Sequence, residues 1–472
     1  MGQNFIACDR EQELLLPPSL RDWLPAEHLA WFVLDAVDVM DLAPFFAAYR
    51  ADGWGRAAFD PQMMVALTVY AYAVGERSSR AIERRCREDV AFRVIAANLA
   101  PDHATLARFR ARHQDALAGL FDEVLSLCAR SGVVQVGTIA VDGTKIHANA
   151  SRSQNRTYAD LAREIMAEAD AIDAAEDAKF GERRGDELPP EMASVESRRA
   201  RLRELKDELD AEREARVAEQ PPTREARVAE ARKRLEEDWR LEHRVNSEWR
   251  AWHARRSAQL AAEGRKMMGV TTRFRPDPPA APAGKINVTD PDSQMVKSLH
   301  GWLQGYTAQA VATEGQIIVA ADVIVSGNER RRLTPMVDQA IQALGRAGID
   351  EQPETVLADA GFFNTDQIDQ LAARGIQPLV SPDASGRKAP GKMRRSAAFE
   401  QMRQMLETEE GWASYRRRSQ IIEPVFAHTK TIRRADRFQR RGLPACRAEW
   451  RVIAATHNLL KLWRLTSAAQ PA

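Results

Sequence analysis

The sequence predicts an α/β chain in which an all-α N-terminal domain precedes a mixed sheet, and a long helical insertion interrupts the sheet after its first strand. Three observations carry this reading. Residues 1–130 show helix-start signals and no strand-like alternation. The apolar pattern changes to a period of two at Val133, and comparable strands resume only at Gln304, beyond a stretch rich in Ala, Glu and Arg. At 472 residues the chain exceeds the size at which one core stops growing, so two or three domains are expected. Their spans are 1–130 for the helical domain, 131–156 with 285–465 for the sheet domain, and 157–284 for the insertion and its return linker.

In chain order, Asp60-Pro61 is a cap and first-turn pair ahead of the apolar run from Met63 to Tyr70. Ser78 to Cys86 is a basic amphipathic segment, and Ala104 to His113 follows with spacing that suits a helix-turn-helix-like unit. There Leu106 and Phe109 would face the core, while Arg108, Arg110 and Arg112 would either reach a phosphate backbone or stand solvated on an ordinary bundle. In the first strand Val134, Val136, Thr138, Ala140 and Asp142 share one face, with Ile139 and Val141 on the other. Gln304–Val311 and Gln316–Val325 read as a hairpin joined at Glu314-Gly315. A helix over Leu333–Leu344, a strand Thr355–Asp359, a helix from Thr365 and a short strand Gln377–Val380 complete the order. This is the connectivity of a ribonuclease-H-like sheet, with its first and fourth strands side by side.

Within the insertion, Leu202, Leu205 and Leu209 have heptad spacing, and Arg213–Glu219 recurs as Arg224–Glu230, which reads as a solvated helical arm. Residues 273–284 form a Pro-rich linker, and Ser381–Arg395 a basic loop. The net charge of +1, from 68 Lys and Arg against 67 Asp and Glu, conceals a basic segment. From Arg416 to Arg441 many arginines and Lys430 are opposed only by Glu423 and Asp436, which suits a polyanion. Scattered Cys8, Cys86, Cys128 and Cys446 argue against a zinc site or a disulfide framework. With no membrane-spanning run or leader-like N-terminus, a soluble, cytoplasmic protein is expected.

The chemistry concentrates in three acids. Asp142 ends the first strand, Asp359 ends the fourth, and Glu423 opens a basic helix. Carboxylates at strand carboxyl ends lie where α/β folds place active residues. Brought together without matching cations they would repel one another, so the site calls for divalent metal; oxygen ligands favour Mg2+, with Mn2+ as a substitute. Two such ions can drive an in-line displacement at phosphorus. On the Glu423 helix, Lys430 and Arg434 fall on one stripe with the acid, and Val425 and Ile432 on the opposite one. Asp290, Asp292 and Asp322 are alternative acids, and a lone strand-end Asp such as Asp359 is often only a turn residue.

Val141-Asp-Gly-Thr-Lys-Ile-His-Ala-Asn-Ala-Ser151, Asn287–Ser293, Gly305-Tyr-Thr-Ala-Gln309, Ala358-Asp-Ala-Gly-Phe362 and Glu423-Pro-Val-Phe together resemble the DDE transposases of bacterial insertion sequences. The likeness extends over nearly the whole chain and is to the group with a Tyr-Arg-Glu-Lys signature. It implies that Asp142, Asp359 and Glu423 are the catalytic, metal-binding triad, and that Tyr415, Arg418 and Lys430 contact DNA. Arg418 lies one position further from Glu423 than the usual form, so Arg417 or Ser419 is an alternative. Lys145, Arg433 and Arg434 complete the expected DNA contacts. The resemblance further implies terminal inverted repeats and target DNA as partners, a dimer or higher oligomer on DNA, and a nucleoid-associated bacterial protein. A ribonuclease-H-like nuclease without strand transfer and a non-catalytic DNA-binding derivative are the rival readings.

Overall fold

Side-chain caps set the starts of several N-terminal helices. The computed structural model describes residues 19–49, 58–180, 223–265, 282, 284–298, 301–325, 329–382 and 397–468. Its first helices are α1 (Leu29–Asp38), α2 (Ala43–Phe46), α3 (Pro61–Ala73), α4 (Ser79–Glu88), α5 (Val90–Ile95), α6 (His103–Arg112) and α7 (Gln114–Arg130). Asp60 accepts from Gln62 N, Ser78 from Ala81 N and Asp102 from Thr105 N, each satisfying a backbone donor that its helix cannot. Leu106 and Phe109 are buried on α6, which agrees with their spacing.

The chain divides into two compact units, Met1–His147 with Tyr306–Ala472, and Ala148–Gly305. In the first unit the sheet runs β6-β5-β1-β7-β8, formed by β6 (Ile318–Ile324), β5 (Gly301–Thr313, from Tyr306 onward), β1 (Thr138–His147), β7 (Thr355–Ala358) and β8 (Gln377–Val380). β5 and β6 are the expected antiparallel hairpin, and β1, β7 and β8 run parallel. Ile139, Ala140, Val141, Val356, Leu357 and Ala358 are all fully buried, so the middle of the sheet is covered on both faces.

The cover is helical. α10 (Leu333–Arg346) packs on β6 and β1, α11 (Thr365–Ala373) on β8, and α12 (Ala397–Glu407) on β8. α13 (Glu409–Ala427) crosses β1, β7 and β8, while α14 (Leu443–Ala468) packs on β6, α7 and α3. The helical N-terminal region is thereby built onto the sheet through α14. Gly75 marks the tightest approach: at φ +81° it brings the chain so near that a Cβ would stand 2.9 Å from Arg433 O.

The second unit is a helix pair on a small ribbon. β2 (Asn155–Thr157) pairs antiparallel with β3 (Lys285–Asn287), and β4 (Gln294–Ser298) pairs with the first residues of β5. Leu161 of α8 (Tyr158–Phe180) packs with Val228, Ala231 and Leu235 of α9 (Arg224–Ala262) and with Ile286 and Val288. Asn287 explains why its motif needs that residue: its amide donates to Ser151 O and Asn155 Oδ1 at 2.8 Å each, and its Oδ1 accepts from Thr289 N and Asp290 N. The heptad leucines 202, 205 and 209, the first copy of the duplication and most of the basic loop after Ser381 lie outside the described residues.

Two local expectations need correction. β1 does not end at Asp142 but continues to His147, because Ile146 is buried and His147 bridges Arg437. Nor does Glu423 open a helix: α13 begins at Glu409, where Thr408 caps it by accepting from Gly411 N, and Pro424 lies inside. An internal proline leaves the carbonyl four residues back without its donor. Here that carbonyl, Gln420 O, accepts instead from Gln316 Nε2 at 3.0 Å, so the tip of the β5–β6 hairpin replaces the missing bond.

A buried ion pair ties the elements of the first unit together. Arg77 donates to Glu449 at 2.9 Å and to Arg437 O and Arg434 O at 2.7 Å each, and Glu449 also accepts from Gln439 N and Arg440 N. With the two side chains 5% and 0% exposed, removing one partner strands the other. Glu449→Ala is expected to cost about 3–5 kcal/mol in urea unfolding; a loss under about 1 kcal/mol would show that Arg77 finds other acceptors.

Candidate active site

Strand register places the first two acids. Val141 pairs with Ala358 across parallel β1 and β7, so Asp142 and Asp359 follow at the same level on neighbouring strands. Asp142 Oδ1 accepts from Gly143 N at 2.7 Å. Burial first, and the Asp359 carboxylate second, push the Asp142 carboxyl up to about 7. Asp359 caps the short turn Ala360–Phe362 by accepting from Gly361 N at 2.9 Å, and fully buried Phe362 anchors that turn. Asp359 is thus a turn residue that also lies beside a second acid.

α13 brings the third acid. Ile421, Ile422, Val425 and Phe426 are buried along it, and Glu423 stands exposed between them. Arg418, on the same helix, donates through Nη1 to Asp142 Oδ2 at 2.8 Å and lies with Nη2 3.5 Å from Glu423 Oε1. One guanidinium therefore spans a strand acid and the helix acid. Tyr415 is half-buried beside it: burial raises its hydroxyl, and the Arg418 and Asp359 charges oppose each other in perturbing it.

Beyond α13 the chain takes a five-residue π turn, His428–Ile432. This wider turn shifts the inward face by one residue, so Thr429 and Arg433 are buried while Ile432 is 69% exposed. Ile432 does not seat the helix on the sheet, which corrects the expected stripe. Lys430 donates to Thr144 Oγ1 at 3.1 Å and to Lys145 O at 3.2 Å on β1. Arg434, at φ +52°, lies beyond the helix and is exposed. Arg433 departs furthest from its expected role as a DNA contact. It is buried and donates to Tyr72 O at 2.8 Å, Ile453 O at 3.0 Å and Thr456 Oγ1, so its donors are spent on joining α3 to α14.

On α6, Arg108 and Arg112 are exposed; Arg108 bonds Thr105 at 3.2 Å, and Arg112 bonds Ala48 O and covers Tyr49. Arg110 instead donates to Arg77 O at 2.7 Å and to Ser79 Oγ, which fixes α6 to the start of α4. The alternative acids are engaged elsewhere. Asp322 pairs with Arg332 and Arg447, Asp292 pairs with Arg234, and Asp290 is buried in its turn.

One acid at the site escapes the sequence reading. Glu329 lies between β6 and α10, with Oε2 3.5 Å from Lys145 Nζ. Burial raises its carboxyl, Lys145 opposes that, and the Asp359 carboxylate raises it further. Its signal was present but weak: an acid follows an apolar strand through Ser326-Gly327-Asn328, the strand-end logic applied to Asp142 and Asp359.

A hard divalent cation fits this donor set in chemistry. The carboxylates supply oxygen only, and Asp142, whose carboxyl burial and then the Asp359 charge raise, lies beside a second acid. Among the described residues, however, no three His, Cys, Asp or Glu side chains are closed into a metal site. Arg418 meets Asp142 and Glu423 in that arrangement.

Two family models match the chain. Residues 18–112 match the model described as a transposase domain (DUF772), and residues 285–459 match the transposase DDE domain. The second region contains Glu329, Asp359, Arg418, Glu423 and Lys430, while β1 with Asp142 lies outside both. No curated protein and no solved structure matches the chain. Among the described residues no helix is long and apolar enough to cross a membrane.

The raised Asp142 carboxyl generates a stability signature. A folded carboxyl that titrates near 7 rather than at its ordinary 3.8 binds more protons than the unfolded chain between those values. Its contribution is full below the unfolded value and is lost as pH rises toward 7. In metal-free buffer, Asp142→Asn should therefore gain stability relative to the native sequence from about pH 4 to about pH 7, and hold level above. Chemical unfolding across that range measures it; a difference independent of pH would show that Asp142 ionises normally.

Proposed function

Because the two matched domains indicate a DDE transposase of an insertion sequence, we propose that this chain binds the terminal inverted repeats of its own mobile element, cleaves their ends and joins them to target DNA. The family acts on DNA and uses divalent metal ions. The observation that carries the reading is Asp142 and Asp359 at one level on adjacent parallel strands, with Arg418 of the crossing helix bonded to Asp142 and 3.5 Å from Glu423. The sheet order β6-β5-β1-β7-β8, with one antiparallel hairpin followed by parallel strands, supports a ribonuclease-H-like catalytic fold.

Two Mg2+ ions, which Mn2+ can replace, supply Lewis acidity to an in-line displacement at phosphorus when bound. Asp142 and Asp359 would hold them from the strand ends, and Glu423 would hold them from α13. Arg418 pairs with two of these carboxylates, Asp142 and Glu423. Arg418, Tyr415, Lys145 and Lys430 would contact DNA phosphates beside these acids. Arg108 and Arg112 offer phosphate contacts from the helical region, and Arg434 offers one beyond α13. A dimer or higher oligomer on DNA holds two ends for joining, in association with the nucleoid.

Products decide the matter. With Mg2+, end-bearing donor DNA and labelled target DNA, the native chain should give joined donor–target molecules. Asp142→Asn, Asp359→Asn and Glu423→Gln should each still retard end DNA in a gel yet give neither cleavage nor joining. Cleavage without joined product would favour a nuclease, and undiminished joining by Glu423→Gln would remove that residue from the site.

Lys430→Ala should weaken DNA binding and reduce the slope of log affinity against log salt by about one phosphate contact. An unchanged slope would confine Lys430 to bracing β1 through Thr144 and Lys145.

A further inference from the structure

The turn between β5 and β6 closes through its own backbone: Gln316 N donates to Thr313 O at 2.7 Å, and Thr313 N donates to Ile317 O at 2.9 Å. Reversing the chain asks nothing of the residue 316 side chain. Gln316 nevertheless stands at φ +62°, a left-handed backbone that glycine or asparagine adopts more readily. What distinguishes glutamine there is reach. Its Nε2 donates to Gln420 O of α13 at 3.0 Å, while its Oε1 accepts from Lys461 Nζ of α14 at 2.7 Å. One side chain thereby joins two helices.

The end of the hairpin is itself anchored to α14. Gln316 O meets His457 Nε2 at 3.0 Å, and buried Asn458 bonds both the N–H and the carbonyl of Ile318 at 2.8 Å each. The near side of the turn also grips α13, because Glu314 pairs with Arg417, three residues before Gln420 on the same helix face. Pro424 removes the bond that would hold Gln420 O from within α13, and Glu423 lies in the turn so loosened. Gln420 is exposed, so water can satisfy its carbonyl. Water does not set a distance, whereas an amide fixed to α14 does.

We propose that the turn Glu314–Gln316 is a clamp on α13, and that Gln316 is a positioning residue for Glu423 in DNA cleavage. This rests on the transposase reading above. Gln316 acts through Gln420 O and not on the reacting atoms, so its loss slows the reaction and leaves DNA affinity alone. The loss disappears once α13 can hold that carbonyl itself. Pro424→Ala gives it the means: alanine restores the N–H, and because Pro424 is exposed the change opens no cavity.

Single-turnover cleavage of end-bearing DNA with Mg2+, at saturating DNA, compares the native chain, Gln316→Glu, Pro424→Ala and the double variant. Glutamate keeps the acceptor for Lys461 and loses the donor for Gln420 O; if that variant does not fold, Gln316→Met takes its place. Gln316→Glu should cleave about tenfold or more slowly with unchanged DNA affinity, whereas in the Pro424→Ala background it should change the rate by less than about twofold. Amide hydrogen exchange without DNA gives a readout independent of activity: the last turns of α13 should exchange faster in Gln316→Glu, and no faster in the double variant than in Pro424→Ala. A native cleavage rate in Gln316→Glu, or an equal loss in both backgrounds, overturns the proposal. A native chain that leaves end DNA uncut, or Glu423→Gln cutting at the native rate, overturns the transposase reading instead, and the exchange comparison then decides the clamp alone.

Discussion

Two carboxylates on adjacent parallel strands at one level repel each other, and the fold must keep positive charge near them. The register of β1 against β7 creates this condition, since Val141 opposite Ala358 commits Asp142 and Asp359 to neighbouring positions. Burial aggravates it by denying them water, which is why the Asp142 carboxyl rises to about 7. Arg418 is the local answer, and its reach to Glu423 makes the helix acid part of the same charge cluster. A divalent cation would answer the same need with more charge in less space.

Much of the surrounding structure serves to hold α13 over those strands. Its internal proline would loosen it at the turn that carries Glu423, but Gln316 supplies the donor that Pro424 cannot. Gln316 is itself fixed: its Oε1 accepts from Lys461 at 2.7 Å, and its carbonyl meets His457 at 3.0 Å, both from α14. Further along, Arg433 and Arg77 spend their charges on backbone carbonyls of the neighbouring elements. The helical N-terminal region and the sheet are consequently bound by polar staples as well as by apolar packing.

Local chemistry made some of this legible in the sequence. Asp60-Pro61 fixes the start of α3, Glu314-Gly315 turns the hairpin, and the apolar runs at Thr355 and Gln377 become β7 and β8 because they are short, buried and bounded by polar residues. What stayed hidden depends on contacts between distant residues. The extension of β1 to His147 rests on Arg437, and the continuity of α13 through Pro424 rests on Gln316; neither partner is near in sequence. The π turn cannot be seen in a 3.6-residue pattern, so Ile432 and Arg433 exchanged places between inside and outside. Arginines could be recognised as cations but not sorted by use: Arg108 stayed exposed, whereas Arg110 became a brace. Glu329 went unnoticed because its partner Lys145 is distant in sequence.

The central claim is that Asp142, Asp359 and Glu423 form one cation-binding site that Arg418 occupies electrostatically in the absence of metal. Crystals of the full chain grown without metal and then soaked in Mn2+, with diffraction recorded at the manganese edge, test it most directly. The account predicts an anomalous peak in contact with Asp142 and Asp359, with the guanidinium of Arg418 withdrawn from Asp142. Well-ordered crystals showing no peak there at saturating Mn2+, with the Arg418–Asp142 contact intact, would contradict it.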